Sequence, residues 1–329
     1  MRTSKRGSAL LAVLWLSAAL AAIAFSLANT VRGETERTST AVDGLRAYYL
    51  ATAAVERTLI YMQWVNQFPN MGKYSPNTPW LRMSFPEGDA AVEIIPETAK
   101  LSINTSPPEA LVRLLAAMGV DPGSARELAL AIVDWRTPMG AGASPFDAYY
   151  LSLSPSFRAR HASFEEIEEL LLVKGMTPEL FYGTYAPAPE GQSGPRLIPR
   201  GGLRECVSVF GSTGRFDINT APPAVLAAAG VPPDAVAGIV QQRRVMPFNP
   251  QQLAALSQAG GPWAAKLRVG GNSMFTLRAT ARLRLSDGRL SDLRRSVGAL
   301  VKMKPKDSDA PYHILRWYDS LWSAAQPLI

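Results

Sequence analysis

Residues 8–28, SALLAVLWLSAALAAIAFSLA, decide the fold, and they carry no charged side chain. A helix of this length spans roughly 30 Å, enough to cross the hydrocarbon core of a membrane. The stretch is longer than the apolar region of a signal peptide, usually about 7–15 residues. Arg2, Lys5 and Arg6 precede it. Because such cations stay on the cytoplasmic side, we expect a single span that places the chain beyond about residue 32 across the membrane.

The helix is predicted to continue beyond the membrane span. Residues 33–62 contain no proline, and mostly apolar side chains recur along one helical face at spacings of three and four. These are Leu45, Tyr48, Tyr49, Thr52, Val55, Leu59 and Met62. The sequence therefore predicts one rod over residues 8–62, roughly 80 Å long. Pro69, Pro76 and Pro79 mark its outer limit.

The composition of the 329-residue chain excludes several classes of protein. Hydrophobic residues make up 47% of the chain, too many for a disordered protein, and the length suggests about two domains. A lone cysteine, Cys206, excludes an internal disulfide and a multi-cysteine zinc site. We expect it to be buried in a strand over residues 203–210, and we expect His161 at the surface. No catalytic motif is present, so we predict no enzyme.

The middle of the chain contains an internal repeat, because residues 101–111, LSINTSPPEAL, match residues 216–226, FDINTAPPAVL. In both copies an extended triplet leads to Asn-Thr, and a Pro-Pro pair then opens a helix. We expect Thr105 and Thr220, or the neighbouring Ser106, to cap these helices by accepting free backbone N–H groups.

The match continues further along both copies. Residues 119–122 correspond to 230–233, residues 132–136 to 239–243, and residues 164–170 to 248–253. Each unit therefore predicts a strand end, a helix, a tight turn, a second helix, a loop and a third helix. The first unit carries an extra loop between Arg136 and Phe164.

Strands are predicted on both sides of the repeats. Residues 90–95 alternate weakly, and residues 273–303 form a predicted hairpin around Asp287-Gly288, a favoured turn pair. Residues 186–202 are rich in proline and glycine and predict a loop or hinge. The apolar spacing of residues 314–322 predicts a short amphipathic helix.

The N-terminus resembles a class III, prepilin-type leader, because Lys5-Arg6-Gly7 stands directly before the apolar stretch. In that family a membrane aspartyl peptidase cuts after the glycine and methylates the new N-terminus. The resemblance implies cleavage between Gly7 and Ser8, although the family usually begins its mature chain with phenylalanine or methionine. Most members also have a glutamate at the fifth mature position, which is Ala12 here.

The missing glutamate has a physical interpretation. A carboxylate within a bilayer is costly unless it is paired, and in pilin-like fibres it is thought to pair with the N-terminal ammonium of an adjoining subunit. A subunit at the tip of the fibre has no such neighbour above it, so the apolar Ala12 suits a tip position. Among these proteins, the type II secretion minor pseudopilin of the K class lacks this glutamate and is about twice the size of its relatives.

The middle of the chain is also similar to the helical domain of K-class pseudopilins, which carries two Asn-Thr-Ala-like motifs. The further motifs of that domain have counterparts in order at Asp134-Trp135, Tyr149-Tyr150, Glu168-Glu169-Leu170 and Gly175-Met176-Thr177. The resemblance covers nearly the whole chain. It implies an α+β fold with a long N-terminal transmembrane helix, a small antiparallel sheet, and a large inserted helical domain with two helix-hairpin-helix-like repeats.

The resemblance implies boundaries and partners as well. The predicted boundaries are 1–7 for the leader, 8–62 for the rod, 63–98 for the start of the sheet, 99–265 for the helical domain, 266–304 for the C-terminal hairpin and 305–329 for a tail. Within the helical domain the repeats lie near 101–183 and 216–265, with a hinge and strand at 186–215. The implied partners are minor pseudopilins of the I and J classes and the prepilin peptidase, at the bacterial inner membrane with the bulk of the chain in the periplasm.

The K class also implies calcium, which prefers six to eight oxygen ligands. The long loop of the first repeat offers only the carboxylates of Asp134 and Asp147. Asp134 and Asp147 are thus the candidate calcium ligands, but we expect no metal site or cofactor, with Asp134 in a structural bond and Asp147 in solvent.

The main alternative is a membrane-anchored helix-hairpin-helix protein that binds DNA, which a net charge of +7 permits. Its hairpins would need backbone N–H groups free to contact phosphate, but proline and aspartate occupy both predicted turns, so nucleic acid is the less favoured partner. A plain anchored scaffold and a subunit of a related pilus-like machine also remain open.

Overall fold

The structure, a computed structural model, describes residues 6–68, 79–140, 144–187, 197–271, 273–305 and 308–321. Arg2 and Lys5 of the predicted leader, and Pro69 and Pro76 of the predicted helix stop, lie outside these ranges.

The N-terminal part of the chain forms the following elements: α1 (Arg6–Gln67), β1 (Trp80–Phe85), β2 (Gly88–Pro96), β3 (Leu101–Ser102), α2 (Pro108–Ala117), α3 (Pro122–Arg136), α4 (Asp147–Leu151), α5 (Pro178–Tyr182) and β4 (Gly183–Pro187). The remaining elements are β5 (Leu197–Gly201), β6 (Val207–Ser208), β7 (Phe216–Asp217), α6 (Pro223–Ala228), α7 (Pro233–Val245), α8 (Pro250–Ala259), β8 (Leu267–Arg268), β9 (Met274–Arg284), β10 (Leu290–Met303) and β11 (Tyr312–Tyr318). Single turns of 3₁₀-helix occur at Glu97–Ala99, Ile167–Leu172, Leu203–Glu205 and Pro262–Lys266.

Helix α1 is one unbroken helix of 62 residues, and it ends at Gln67, five residues beyond the predicted end of the rod at residue 62. Of the residues that the structure describes, one helix is long and apolar enough to cross a membrane, Ala9–Val65, and the mean hydropathy of its most apolar window is 2.4. That window is not buried by any other part of the chain. The long apolar helix therefore fits a single-pass membrane anchor.

The C-terminal third of α1 packs on one face of a five-stranded sheet. Alanines at positions 47, 51 and 54 are fully buried and let the helix approach the strands closely, while Leu59 fills the interface beside them. The facing side chains alternate along the strands, as a half-buried sheet requires. They are Ala90, Val92, Ile94, Leu277, Ala279, Ala281, Val297, Ala299 and Val301.

The sheet is antiparallel throughout and has the strand order β1-β2-β9-β10-β11. The predicted hairpin is present, with β9 and β10 joined around Gly288, whose φ is +82°. Strands β2 and β9 are hydrogen-bonded neighbours, with Gly88 opposite Leu283 and Pro96 opposite Phe275. The whole helical domain is therefore an insertion between two adjacent strands, in agreement with the predicted α+β fold.

The helix predicted over residues 314–322 is wrong, because Tyr312–Tyr318 form the edge strand β11. The last residue of the predicted helix, 322, lies outside the described ranges. The strand pairs with β10 from Gly298 opposite Tyr318 to Met303 opposite Tyr312. Aromatic residues favour strands, and the sheet supplies hydrogen-bond partners that the local spacing does not reveal. Beyond the strand, Asp319 accepts hydrogen bonds from the Tyr48 hydroxyl of α1 (2.8 Å) and from Trp317 Nε1 (3.0 Å).

Two further segments differ from the sequence-based expectation. The predicted hinge at residues 186–202 is partly ordered, since β4 and β5 pair antiparallel on either side of residues 188–196, which lie outside the described ranges. The predicted strand at residues 203–210 is a 3₁₀ turn, Leu203–Glu205, followed by the two-residue strand β6. Both segments are short and depend on distant pairing, so a local pattern does not define them.

The helical domain has its own hydrophobic core, to which both repeats contribute. The first repeat consists of β3, α2, α3, α4 and the 3₁₀ turn Ile167–Leu172, and the second consists of β7, α6, α7 and α8. Helix α2 packs against α6, so the two units meet through their first helices. The predicted third helix of the first repeat is thus a 3₁₀ turn.

The packing of α1 on the sheet predicts a position-specific loss of stability. Leu59 is fully buried, so Leu59→Ala removes buried methyl groups and leaves a cavity. We expect it to lower the free energy of unfolding by about 2–5 kcal/mol. Its neighbour Ile60 is 58% exposed, and Ile60→Ala is the matched control with a change below about 0.5 kcal/mol. Urea denaturation of the full chain in detergent measures both, and equal losses would contradict the packing.

Candidate functional site

The two repeats share one pattern of hydrogen bonds that the aligned sequences do not show. The side chain of Asn104 bonds to both backbone groups of Phe164, accepting from its N–H at 2.7 Å and donating to its carbonyl oxygen at 2.9 Å. Asn219 makes the same pair of bonds to Phe248, at 2.7 and 3.0 Å. Each Asn-Thr motif therefore fastens the start of its unit to the segment that follows the second helix. The predicted correspondence of Phe164 with Phe248 is confirmed.

An arginine at the end of the second helix completes the pattern in each unit. Arg243 donates to the carbonyl oxygens of Ile218 (3.0 Å) and Ala221 (2.7 Å). Arg136 donates to the carbonyl oxygens of Ile103 and Ser106, the equivalent positions. Burial lowers the pKa of Arg243 to about 10 and the pKa of Arg136 from its ordinary value. The predicted correspondence of these arginines is confirmed, and each one holds the turn before a Pro-Pro helix start.

The expected capping by threonine is wrong. The N-cap residues of α2 and α6 are prolines, Pro107 and Pro222, and neither helix start has a side-chain cap. The Thr105 hydroxyl donates instead to Ser102 Oγ at 2.7 Å, and the Thr220 hydroxyl bonds to Asp217. With proline at two of the first positions, fewer N–H groups need a partner, so the threonines close the preceding turn instead.

The hairpin turns between the paired helices use their own amides internally. The N–H groups of Gly119 and Val120 donate to Ala116 and Leu115, and those of Gly230 and Val231 donate to Ala227 and Leu226, all at 2.9–3.1 Å. Both glycines have positive φ, +86° and +90°, which closes the turn. The start of α3 is occupied as well, because Asp121 accepts from Gly123 and Ser124 at 3.0 Å.

These contacts bear on the DNA-binding alternative. A hairpin that binds phosphate presents unpaired N–H groups, and in both turns these groups are already bonded. The last carbonyls of the first helices are also covered by the chain's own cations. Arg113 donates to Ala228 at 3.0 Å, Lys266 donates to Ala229 at 2.9 Å, and Arg200 donates to Met118. The geometry of the hairpins therefore does not favour contact with nucleic acid.

The candidate calcium ligands are joined to His161, which the sequence analysis placed at the surface. Its side chain is only 10% exposed, and its backbone φ is +49°. Nε2 lies 3.0 Å from Asp147 Oδ1, and Nδ1 lies 3.3 Å from the carbonyl oxygen of Asp134. Both partners are acceptors, so the imidazolium form, in which both ring nitrogens donate, satisfies both contacts. The surface role of His161 and the solvated state of Asp147 are therefore both wrong.

The residues present do not fit a calcium ion. Asp147 faces the His161 cation, and Asp134 accepts from the Ser144 hydroxyl at 2.6 Å, as its expected structural role implies. Calcium requires several more oxygen ligands than these two carboxylates supply. Among the described residues, no three His, Cys, Asp or Glu side chains lie close enough together to hold a metal ion. We assign no step to a metal.

The paired tyrosines and Asp134-Trp135 build an aromatic cluster beside this histidine. The Trp135 ring lies 5.4 Å from Tyr150, 6.3 Å from Phe157 and 6.4 Å from Phe164, measured between centroids. The Tyr150 hydroxyl accepts from the backbone N–H of Lys174 at 3.2 Å, and burial raises its pKa. The family-like motifs of the first repeat thus form the core that orders its long loop.

The remaining motifs have structural roles too. Glu169 accepts from the backbone N–H groups of Glu165 (2.7 Å) and Glu166 (3.1 Å) and forms part of a capping box at the start of a 3₁₀ segment. The Thr177 hydroxyl caps α5 by accepting from the backbone N–H of Leu180 at 3.2 Å.

Cys206 is buried as expected, and burial raises the pKa of its thiol to about 12. A thiol with this pKa is a poor nucleophile at neutral pH.

The groups that join the sheet to the helical domain were not predicted from the sequence. Glu97, buried directly after β2, accepts from Thr276 of β9 (2.6 Å), from Lys100 (2.9 Å) and from Ser208 of β6. Burial raises its pKa, but Lys100 and the hydroxyl donors outweigh burial and hold the pKa below its ordinary value. Arg316 of β11 lies 2.9 Å from Glu166 and 3.3 Å from Glu168. No local pattern marks these long-range pairs. Ser208 and Thr276 lie 111 and 179 residues from Glu97 along the chain, and Arg316 lies 148 residues from Glu168.

Removing one Asn–Phe pair of hydrogen bonds should destabilise the protein, whereas a substitution on the surface should not. Asn219→Ala leaves the N–H and carbonyl groups of the buried Phe248 without partners. We expect the free energy of unfolding to fall by about 2–4 kcal/mol. The control, Gln251→Ala, lies on the exposed side of α8 and should change it by less than about 0.5 kcal/mol. Urea denaturation followed by tryptophan fluorescence measures both variants, and an unchanged Asn219→Ala protein would refute the role of the motif.

The imidazolium of His161 predicts a pH dependence. Burial lowers its pKa, but the bonds to Asp147 and to the Asp134 carbonyl outweigh burial and leave the pKa above its ordinary value. The bonds of the His161 imidazolium therefore stabilise the folded state fully below about pH 6.5, and this contribution is lost as the pH rises through the raised pKa. We expect His161→Asn, which tolerates the positive φ, to lose this part of the pH dependence.

Thermal unfolding between pH 5.5 and 9 measures that difference. The matched control is His313→Asn, because His313 lies exposed on the edge strand β11. This variant should keep the wild-type pH profile. If His161→Asn also keeps it, the histidine is not the titrating group.

The comparisons with known proteins agree with the geometry. Residues 92–184 match the family described as Type II secretion system (T2SS), protein K. Type II secretion system protein K of Klebsiella pneumoniae is 26% identical over 204 residues, which cover 55% of this chain and 61% of that protein. The match thus spans less than two thirds of the length of this curated relative.

A solved structure has a similar fold. The crystal structure of the GspK–GspI–GspJ complex from the type 2 secretion system of enterotoxigenic Escherichia coli contains a chain that matches with a TM-score of 0.52 and 16% identity. The match covers 87% of this chain and all of that chain. The resemblance to the K class of type II secretion proteins is thereby confirmed.

Proposed function

We propose that this chain, with its confirmed resemblance to protein K of type II secretion systems, is a minor pseudopilin that caps the tip of the pseudopilus. It assists protein export across the outer membrane and performs no reaction. The observation that carries this proposal is the architecture itself. One apolar helix runs unbroken into a sheet, and a helical domain is inserted between two adjacent strands of that sheet.

The free part of α1 supports assembly into a fibre. Its most apolar window is not buried by the rest of the chain, and Leu10, Trp15, Ile23 and Phe25 are 64–75% exposed in the isolated subunit. Exposed apolar surface of this extent requires lipid or other helices as its surroundings. In the proposed function the helix lies first in the inner membrane and then against the helices of neighbouring subunits.

Two features support the tip position. The helical domain, residues 97–273, makes this subunit larger than a rod and sheet alone, and its bulk would block a further subunit above it. Ala12 is apolar and exposed on α1, so no unpaired carboxylate lies in the bilayer when the subunit has no neighbour above. A subunit within the fibre would need that carboxylate for its neighbour's ammonium group.

The same proposal assigns processing, orientation and partners. A prepilin peptidase cuts between Gly7 and Ser8, the basic head stays in the cytoplasm, and the sheet and helical domain lie in the periplasm. The partners are minor pseudopilins of the I and J classes, because the solved structure of similar fold is a complex of GspK with GspI and GspJ.

The mature N-terminus tests the proposal. The full chain is expressed in type II secretion cells with and without the prepilin peptidase, and the N-terminus is determined by mass spectrometry. We expect a methylated start at Ser8 that depends on the peptidase, and the processed protein should co-purify with the I and J subunits.

A pair of glycine variants controls for effects on the helix. Gly7→Leu places a bulky side chain at the cleavage position and should abolish processing. Gly33→Ala lies in the same helix with no atom within 4 Å of the added Cβ, and it should be processed normally. An intact start at Met1 in peptidase-containing cells would remove the pseudopilin proposal, and a cut beyond residue 28 would indicate a secreted protein.

A further inference from the structure

A cleft of about 460 Å³ lies between the sheet and the helical domain. One wall is the face of β1, β2 and β9 that points away from α1, with Arg82, Glu93 and Arg278 in its lining. The other wall includes the Asn-Thr-Pro-Pro turn of the second repeat and Arg243 at the end of α7. The volume falls within the range of about 300–1,000 Å³ found for ligand sites.

Three arginines of the cleft lack a full set of partners. Arg278 is 9% exposed and contacts Glu93 and Glu205, yet its Nε is buried with no hydrogen-bond partner. Arg243 donates only to two backbone carbonyls, and within the described part of the chain no carboxylate lies within 4.0 Å of it. Arg82 is exposed at the rim and has no ion-pair partner among the described residues.

The acidic groups of the cleft do not balance these cations. Glu93 and Glu205 are both held by Arg278, and Glu168 is held by Arg316 of β11. The lining therefore contains five basic and three acidic side chains. They are Arg82, Lys100, Arg204, Arg243 and Arg278 against Glu93, Glu168 and Glu205. Lys100 is already paired with the buried Glu97 at 2.9 Å, so the positive charge open to a ligand comes from Arg82 and Arg243, which have no ion-pair partner among the described residues. These two guanidinium groups favour an anionic ligand.

The same cleft also offers apolar surface. Its lining also includes Trp80, Ile95, Ile167, Pro222 and Leu321. Arginine forms charge-assisted, bidentate hydrogen bonds with carboxylates, so a carboxylate is the natural anion for these guanidinium groups. A ligand that satisfies both surfaces carries a carboxylate next to an apolar side chain.

We propose that this cleft binds a short extended segment of another protein in which an acidic residue adjoins an apolar one. Arg82 on β1 and Arg278 on β9 lie on either side of β2, two interstrand spacings of about 4.8 Å apart along the sheet. An extended chain that crosses these strands can therefore meet both the buried Arg278 and the exposed Arg82. The site goes beyond the proposed function and does not depend on it.

Peptide binding to the full chain in detergent tests the site. The probe is a pool of N-acetylated, C-amidated tetrapeptides that alternate Asp or Glu with Leu or Phe and carry an uncharged dye. A matched pool replaces the acids with Asn or Gln. In fluorescence anisotropy, we expect the acidic pool to bind at least tenfold more tightly than the amide pool.

Three arginine variants locate the binding. Arg243→Gln should lower the affinity for the acidic pool at least tenfold, and Arg82→Gln should lower it at least threefold. Arg243 also holds the turn at Ile218 and Ala221, so Arg243→Gln can weaken the fold as well as the binding. Arg82→Gln tests the site independently, because Arg82 is exposed and holds no such turn. The matched control, Arg289→Gln, removes an arginine that pairs with Asp287 at the far β9–β10 turn, and it should bind like the wild type.

Four results would overturn the proposal. The first is equal binding of the two peptide pools, or no binding of either pool at millimolar concentration. The second is a loss of affinity in Arg289→Gln as large as the loss in the Arg82 and Arg243 variants. The third is displacement by free glutarate at the concentration at which unlabelled peptide displaces the probe, since the site would then take small carboxylates. The fourth is binding that appears only after residues 322–329 are removed, since the occupant would then be this chain's own C-terminal segment.

Discussion

The fold depends on one buried carboxylate at the point where the sheet and the helical domain meet. Glu97 follows the last residue of β2, and it bonds to Thr276 of β9, where the chain re-enters the sheet. Its bonds to Ser208 and Lys100 reach into the helical domain. A charge so deeply buried is tolerated only with such partners, and removing one of them leaves an uncompensated group in the interior. The insertion therefore has its two ends fixed to each other and to β6 by one side chain.

The two repeats show how far local sequence determines structure here. The pattern Ile-Asn-Thr followed by Pro-Pro predicted the helix starts and the alignment of the units, because proline and turn chemistry act within a few residues. The role of Asn104 could not be predicted, since its partner Phe164 lies 60 residues away. The predicted threonine caps failed for a related reason. A threonine hydroxyl in this turn has several possible acceptors. The acceptors used, Ser102 and Asp217, lie in β3 and β7, whose positions depend on pairing with the distant strands β6 and β8.

The same limit explains the edge strand and the histidine. Residues 314–322 fit a helical spacing, but β10 offers an open edge, and tertiary pairing outweighs a weak local preference. His161 has no sequence signal beyond its own identity, and its environment is created by Asp134 and Asp147, 27 and 14 residues earlier. In contrast, the long α1, the β9–β10 hairpin and the buried Cys206 follow from composition and spacing alone.

The unequal second halves of the repeats give the helical domain two different ends. In the first unit the additional loop brings Tyr150 and Phe157 onto Trp135 and closes the core. The second unit has no such loop, and Val245 and Met246 at the end of α7 are 89% and 56% exposed. The two units thus share their Asn and Arg hydrogen bonds, but only the first has a loop that covers its core.

The insertion of the helical domain between adjacent strands has a mechanical consequence. Helix α1 packs directly on β2, β9 and β10, so a force along the helix enters the sheet through side-chain contacts on both sides of the insertion. Because β2 and β9 are hydrogen-bonded to each other, tension passes between them without stretching the polypeptide that connects them through the helical domain. Under such a force the helical domain would bear no tension, so its size and loops could change without altering the elements that transmit the force.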